Sequence, residues 1–204
     1  MVLQELSKVL ANDYRGPKAG VTEPQVLKAL LVIGDAGSIG RGKLGSTLSI
    51  GQGEVRTLIR RLKDRGLITI ASEGCALTES GKKQYKSVAK VIPWGSPVKG
   101  TSLGLGRMCY ALIVRGRSAK VKKGIEQRDA AVRFDALGTL TVFFRKGRFR
   151  VPLAAEDCES KGPLEPWIAI RAAKPKDGDT VIVSGANKLL DAEYGALAAA
   201  LTIV

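Results

Sequence analysis

The segment from 52 to 65 carries the pattern that most constrains the fold. Four apolar residues repeat at the spacing i, i+3, i+4 and i+7: Val55, Leu58, Ile59 and Leu62. This spacing predicts a helix that buries a single stripe and exposes its other side. Glu54 lies in the first turn, where a carboxylate favours the positive end of the helix dipole. Gly66 is typical of the residue that ends a helix.

Two shorter helices are predicted before this segment. An apolar pattern over Glu23–Ile33 follows Thr22, a typical N-cap residue, and Pro24, which suits a first helical turn. A second helix is predicted over Ser38–Leu48, and the tight turn Ser49-Ile50-Gly51 joins it to the third.

Two short β-strands are predicted after the third helix, over Leu67–Ala71 and Cys75–Thr78. The polar turn Ser72-Glu73-Gly74 joins them into a hairpin. A final helix runs from Glu79 to about Val91, with Thr78 as its cap. The order of three helices, a hairpin and a further helix predicts a winged helix-turn-helix domain over residues 1–92.

The basic residues of this domain cluster on the second and third helices. Because the apolar stripe faces the core, the other side of the third helix is predicted to meet double-stranded DNA. Gln52 and Arg56 have the chemistry to pair with adenine and guanine edges. The predicted DNA contacts are Arg41, Lys43, Gln52, Gly53, Arg56, Thr57, Arg60, Arg61 and Lys63, and the wing tip is Ser72, Glu73 and Gly74. The alternatives are a solvated charged face and a protein-binding surface.

Composition narrows the function. The 33 basic and 19 acidic residues give a formal net charge of +14, which favours a polyanionic partner such as nucleic acid. Aromatic residues make up only 5%, which supplies few platforms for stacking single-stranded bases. The sequence contains no histidine, which excludes histidine triads and imidazole zinc sites, so we expect no enzyme activity. An RNA- or ribosome-associated basic protein is the alternative.

Three cysteines, Cys75, Cys109 and Cys158, lie far apart and form no Cys-x-x-Cys motif. This spacing predicts neither a disulfide framework nor a metal site, and it suits a reducing cytoplasm. No apolar run reaches the ~18 residues of a membrane span, so we expect no membrane partner. No cofactor is predicted.

Three stretches carry a family resemblance. They are Leu44–Arg56 (LGSTLSIGQGEVR), Leu62–Ile68 (LKDRGLI) and Leu77–Gly81 (LTESG). They resemble the winged-helix domain of archaeal transcriptional regulators, and they are similar to the N-terminal domain of the bacterial central glycolytic gene regulator. The whole chain resembles an archaeal family that joins such a domain to a C-terminal domain of unknown function. The resemblance implies a DNA-binding transcriptional regulator with a small α+β second domain.

The second domain is predicted over residues 93–204, after the helix-breaking run Ile92-Pro93-Trp94-Gly95-Ser96-Pro97, which we interpret as an extended connector. Its strands and helices predict an α+β fold with one mixed sheet. The predicted elements are a strand at Cys109–Val114, a helix at Gly124–Asp135 with Ile125 and Phe134 inward, a hairpin of Thr139–Phe144 and Arg148–Val151, a short helix at Glu165–Ala173, a strand at Asp179–Ser184 and a helix at Asn187–Leu201.

We expect this domain to support dimerisation or to sense a small-molecule effector. Ser184, Gly185 and Asn187 join a predicted strand to a helix start, where free N–H groups favour an anion. The alternative is that Asn187 only caps the helix. The small apolar residues of the last helix, from Ala196 to Leu201, offer a surface for a homodimer or for packing within the domain.

Overall fold

The computed structural model describes Val9 and residues 20–100, 103–152, 158–159 and 165–204. Its contacts divide the chain into two compact units, Met1–Val88 and Ala89–Val204. This division lies four residues before the predicted boundary between 92 and 93. None of the described helices is both long enough and apolar enough to cross a membrane.

The first unit has the predicted helices and hairpin together with one further short strand, and its winged helix-turn-helix fold is confirmed. Its elements are α1 (Glu23–Ala36), β1 (Ser38–Ile39), α2 (Arg41–Leu48), α3 (Gln52–Asp64), β2 (Ile68–Ala71), β3 (Gly74–Leu77) and α4 (Glu79–Val91). The cap predictions hold, because the Thr22 N–H donates to the Gln25 side chain at 2.8 Å and the Gly81 N–H donates to Thr78 Oγ1 at 3.0 Å. α4 continues across the boundary between the units.

The start of the second helix was predicted wrongly. Ser38 and Ile39 form β1, which pairs antiparallel with β3 through Ala76 and Cys75, and α2 begins only at Arg41. The three strands lie in the order β1-β3-β2. Pairing with a strand more than thirty residues away satisfies backbone groups that a local helical turn would otherwise satisfy.

The core of the first unit gathers the predicted apolar stripes. Val55, Leu58 and Leu62 of α3 are fully buried. The first two helices contribute further buried side chains, and they are Val26, Leu27, Leu30, Ile33, Leu44 and Leu48. Burial of side chains of this size stabilises a fold by about 1.5–3 kcal/mol each.

The second unit is one five-stranded sheet with helices. Its elements are β4 (Trp94–Val98), β5 (Met108–Val114), α5 (Ile125–Val132), β6 (Gly138–Arg145), β7 (Arg148–Arg150), α6 (Trp167–Ala172), β8 (Thr180–Ala186) and α7 (Leu189–Leu201). The strand order is β4-β5-β8-β6-β7, and every neighbouring pair is antiparallel. The α+β class with one sheet is therefore confirmed, but the sheet is not mixed. β5 and β6 run in the same direction, yet β8 lies between them and runs in the opposite one.

β4 replaces the predicted connector. It pairs with β5 from Trp94 opposite Ile113 to Val98 opposite Cys109, at the edge of the sheet. Pro97 lacks an N–H, and an edge strand tolerates that loss because one of its sides pairs with no other strand.

The predicted β6–β7 hairpin is confirmed, with a two-residue turn at Lys146 and Gly147. Both turn residues have positive φ, 50° and 74°, as a tight hairpin turn requires. On the inner face, the Phe149 ring lies between Phe144 and Trp167, with ring centroids 4.9 Å from each. These aromatic contacts fix the hairpin to the core of the second unit.

The second half of α7 is buried on all sides, which removes the predicted dimer surface. It packs against α5, β5 and β8, and every residue from Tyr194 to Leu201 is buried. Gly195 permits this approach, because a Cβ there would lie 2.8 Å from the Ala136 side chain. Ile125 was predicted to face the core but is exposed, while Ala131 of the same helix is fully buried.

Candidate nucleic-acid interface

The outer face of α3 presents most of the predicted DNA contacts. Gln52, Gly53, Arg56, Arg60 and Lys63 are exposed. They occupy the side of the helix opposite the buried stripe, which is the side that 3.6-residue periodicity dictates. The first two of them lie in the N-terminal turn, the part of a recognition helix that reaches base edges.

Two of the predicted DNA contacts on α3 are not exposed. Arg61 is only 5% exposed, so in this structure its side chain is not presented to DNA. It lies on the flank of the helix beside the buried stripe, where its stem is covered. Thr57 is half-buried, and its hydroxyl donates to the Gly53 carbonyl oxygen at 3.0 Å.

The turn before α3 fixes the angle at which the helix is presented. Ser49 adopts a left-handed conformation with φ 49°, and the Ile50 N–H donates to the Gly45 carbonyl oxygen at 3.2 Å. The Glu54 carboxylate reaches back to accept a hydrogen bond from the Gly51 N–H at 2.9 Å. This capping contact satisfies a donor that would otherwise stay unpaired at the helix start.

α2 and the wing lie on either side of this face. Arg41 and Lys43 are exposed in the first turn of α2, as predicted. Ser72 and Glu73 form an exposed two-residue wing tip, and the Ser38 hydroxyl donates to the Glu73 carbonyl oxygen at 3.2 Å. Gly74 begins β3, and a Cβ there would lie 2.4 Å from the Ile39 carbonyl oxygen.

A cleft of about 600 Å³ joins these three elements. Its lining includes four cationic side chains, Arg41, Arg56, Arg60 and Lys63, and two acidic ones, Asp64 and Glu73. Cations therefore outnumber acids, as expected for a surface that meets phosphates. The structure thus brings α2, α3 and the wing to one basic surface.

The cleft also contains apolar and thiol groups that sequence reasoning missed. Ile70 of β2 lines it and is 49% exposed, although Ile68 on the same strand is buried. An exposed isoleucine beside arginines can contact a thymine methyl group. Cys75 lies opposite Ile70; burial raises the pKa of its thiol, and the positive charge of Arg41 partly opposes that rise. The charge of Arg41 acts on Cys75 because both residues line the same cleft.

The predicted ligand site at Ser184, Gly185 and Asn187 does not form an open helix start. Ser184 and Gly185 lie inside β8 and are buried, and a Cβ on Gly185 would lie 2.3 Å from the Leu105 carbonyl oxygen. Asn187 is exposed, but Lys188 is the N-cap of α7. Among the described residues, no group of three metal-ligating side chains is brought together.

Two known domain families match this chain, one in its N-terminal part and one in its C-terminal part. Residues 25–92 match the model of the CggR N-terminal DNA binding domain. Residues 105–203 match the model named Domain of unknown function (DUF4443). The chain joins a CggR-like DNA-binding domain to a DUF4443 domain. The CggR-like match covers α2, α3 and the wing, so the basic cleft lies entirely within it.

A solved structure resembles nearly the whole chain. A hypothetical protein from Pyrococcus horikoshii OT3 is 26% identical, with a TM-score of 0.74 over 90% of this chain and 92% of that chain. Both the CggR-like domain and the DUF4443 domain thus have counterparts in one archaeal protein, as the sequence resemblance implied. No curated protein matches the chain.

Proposed function

We propose that this protein is a transcriptional regulator that binds duplex DNA by placing α3 in the major groove. The observation that carries the proposal is the cleft in which Arg41, Arg56, Arg60 and Lys63 converge from α2 and α3 beside the wing. In this arrangement Gln52 and Arg56 read base edges. Arg41, Lys43, Arg60 and Lys63 contact phosphates, which position the helix without reading sequence. The wing tip lies beside the backbone and contributes little charge, because its one charged side chain is Glu73.

The test is a salt series of duplex binding by fluorescence anisotropy. Each phosphate contact contributes about 0.9 to the slope of log affinity against log salt. We expect Lys63→Gln to weaken binding to all duplexes and to reduce that slope by about 1. Arg56→Gln should instead relax sequence preference by about 1–3 kcal/mol at one base pair.

Lys83→Gln is the matched control, because Lys83 is exposed on α4 and lines no part of the cleft. The proposal is wrong if the wild-type protein shows no duplex affinity at low salt, or if both lysine variants have the same effect. A structured RNA that competes better than duplex DNA would favour the RNA-associated alternative.

We also propose that the regulator acts as a homodimer. Helix-turn-helix proteins commonly dimerise, because two recognition helices then meet successive major grooves about 34 Å apart. Exposed apolar side chains in the DUF4443 domain support this, since Ile125 and Val132 lie seven residues apart on α5 and Leu137 follows. Light scattering during size-exclusion chromatography measures the mass, and a strict monomer would remove this part of the proposal.

We further propose that the DUF4443 domain has a regulatory rather than an enzymatic role, through dimerisation or effector sensing. The absence of histidine from the whole sequence supports this, because the commonest general base is missing.

A further inference from the structure

The β6–β7 hairpin has two chemically opposite faces. Side chains alternate along a strand, and residues that pair across two antiparallel strands share a face. Phe144 pairs with Phe149, and both point into the core. The other face carries Phe143 opposite Arg150 and Arg145 opposite Arg148. The outer face of this short hairpin therefore holds three arginines and one aromatic ring.

A cavity of about 700 Å³ opens on this face. Its lining is Phe143, Arg145, Lys146, Arg150, Val151, Asp177 and Gly178. This volume lies within the range of about 300–1,000 Å³ that is usual for small-molecule sites. Among the described residues of the lining, three cations and one carboxylate give a formal charge of +2. A dianion would balance that charge.

The polar groups of the cavity are incompletely satisfied among the described residues. Neither Arg145 nor Arg150 forms an ion pair there, and the buried Arg150 Nε has no hydrogen-bond partner. Arg145 Nη2 donates to the Ser118 hydroxyl at a long 3.4 Å. The Asp177 carboxylate accepts the Lys146 backbone N–H at 3.1 and 3.3 Å, and no ion pair joins it to Arg145 or Arg150 among the described residues.

Arg171 of α6 is an arginine of the same domain whose guanidinium has structural partners. Its guanidinium pairs with the Glu159 carboxylate, donates to the Gly147 carbonyl oxygen at 2.8 Å and lies 5.2 Å from the centre of the Phe149 ring. Arg145 also lies over an aromatic ring, with its guanidinium carbon 5.7 Å from the centre of Phe143, but neither Arg145 nor Arg150 has a carboxylate partner in the described chain. Arg145 and Arg150 are diagonal neighbours across the two strands, within reach of each other for long side chains, and an anion bound between them would relieve the repulsion of their like charges.

We propose that this cavity, here called the hairpin pocket, binds a small phosphorylated molecule. The guanidinium groups of Arg145 and Arg150 and the Lys146 ammonium hold the phosphate, since arginine forks match phosphate oxygens with two parallel hydrogen bonds. Phe143 and Val151 supply an apolar wall for the remainder of the ligand. Binding itself does not depend on the proposed function; only a regulatory effect of the ligand does.

The experiment titrates ¹⁵N-labelled full-length protein with inorganic phosphate at constant ionic strength and follows the backbone amides by NMR. We expect saturable shifts centred on Lys146 and Gly147. Arg150→Gln should weaken binding about tenfold, because it removes a charge-assisted hydrogen bond. Arg150→Lys keeps the charge, loses the fork and should weaken binding less.

Arg133→Gln is the matched control, because Arg133 is exposed at the end of α5 and does not line the pocket. The same spectra show whether each variant is folded, so lost binding is distinguishable from unfolding. The proposal fails if wild type shows no saturable shift, or if Arg150→Gln and Arg133→Gln bind phosphate equally.

A DNA backbone also presents phosphates, so a second arm measures duplex binding by Arg145→Gln and Arg150→Gln. Reduced duplex affinity without saturable phosphate binding by wild type would show that the hairpin is a DNA contact, and this overturns the small-ligand site. Lost phosphate binding with unchanged duplex affinity supports it. Failure of the wild-type protein to bind any duplex would contradict the regulator proposal and leave the phosphate titration as a separate result.

Discussion

Replacing Gly81 by alanine tests a contact that sets how α4 lies against the wing. A Cβ at position 81 would lie 2.0 Å from the Leu67 carbonyl oxygen and 3.0 Å from its carbonyl carbon. That oxygen also accepts the Thr78 N–H at 3.0 Å, so it cannot withdraw without weakening a hydrogen bond. The added methyl group therefore has to displace backbone rather than a flexible side chain.

Two effects of this substitution oppose each other. Alanine in a helix is favoured over glycine by about 0.5–1 kcal/mol. Overpacking a closely packed site costs about 1–3 kcal/mol, and a 2.0 Å approach to backbone belongs at the upper end. We expect Gly81→Ala to destabilise the CggR-like domain by about 2 kcal/mol.

Gly45→Ala is the matched control, because Gly45 is also a buried helical glycine of the same domain. The nearest atom to its added Cβ is Val55 Cγ1 at 3.6 Å, which is an ordinary contact. This variant should be more stable than wild type by about 0.5 kcal/mol.

Scanning calorimetry resolves the two units if they unfold separately. In a domain of this size, 1 kcal/mol shifts Tm by about 4–8 °C. Equal or greater stability of Gly81→Ala than of wild type would refute the reasoning, as would changes of the same sign in both variants.

Two further predictions concern an ion pair of the DUF4443 domain and the cysteines of both domains. Arg115→Met should destabilise the DUF4443 domain by about 1–3 kcal/mol in urea unfolding, because the buried Asp179 carboxylate loses its guanidinium partner and keeps only the backbone N–H donors of Gly116 and Lys176; unchanged stability would contradict this. Burial raises the pKa of Cys75 and Cys109, so fewer of these thiols are thiolates at a given pH, and iodoacetamide should label the half-buried Cys158 before either. Mass spectrometry of partially labelled protein checks the order, and earlier labelling of Cys109 would show that its strand opens readily.

Local patterns predicted the parts of the fold that depend on local physics. The stripe from Val55 to Leu62 and the turn at Lys146–Gly147 required only periodicity and backbone sterics. β1 was missed because two residues carry no periodicity and pair with a strand far along the chain. The sheet was wrongly predicted to be mixed, because no local pattern indicates that β8 inserts between β5 and β6.

Local geometry likewise predicted some of the site residues and not others. Helical geometry placed Arg56, Arg60 and Lys63 on the exposed face, but it could not decide Arg61, which lies at the edge of the buried stripe. The hairpin pocket escaped sequence reasoning for a different reason. Asp177 lies about thirty residues after Arg145, and only the pairing of β6 with β8 brings them together.

The position of β8 has a consequence for biosynthesis. It is the last strand in sequence, yet it forms the centre of the sheet and pairs with both β5 and β6. On the ribosome, β4 to β7 therefore emerge before the strand that unites them. The CggR-like domain, whose pairings are complete by β3, can fold while its neighbour still waits for that strand. Such a nascent chain exposes the unpaired edges of β5 and β6. Slow translation of the segment before β8 therefore raises the risk of aggregation.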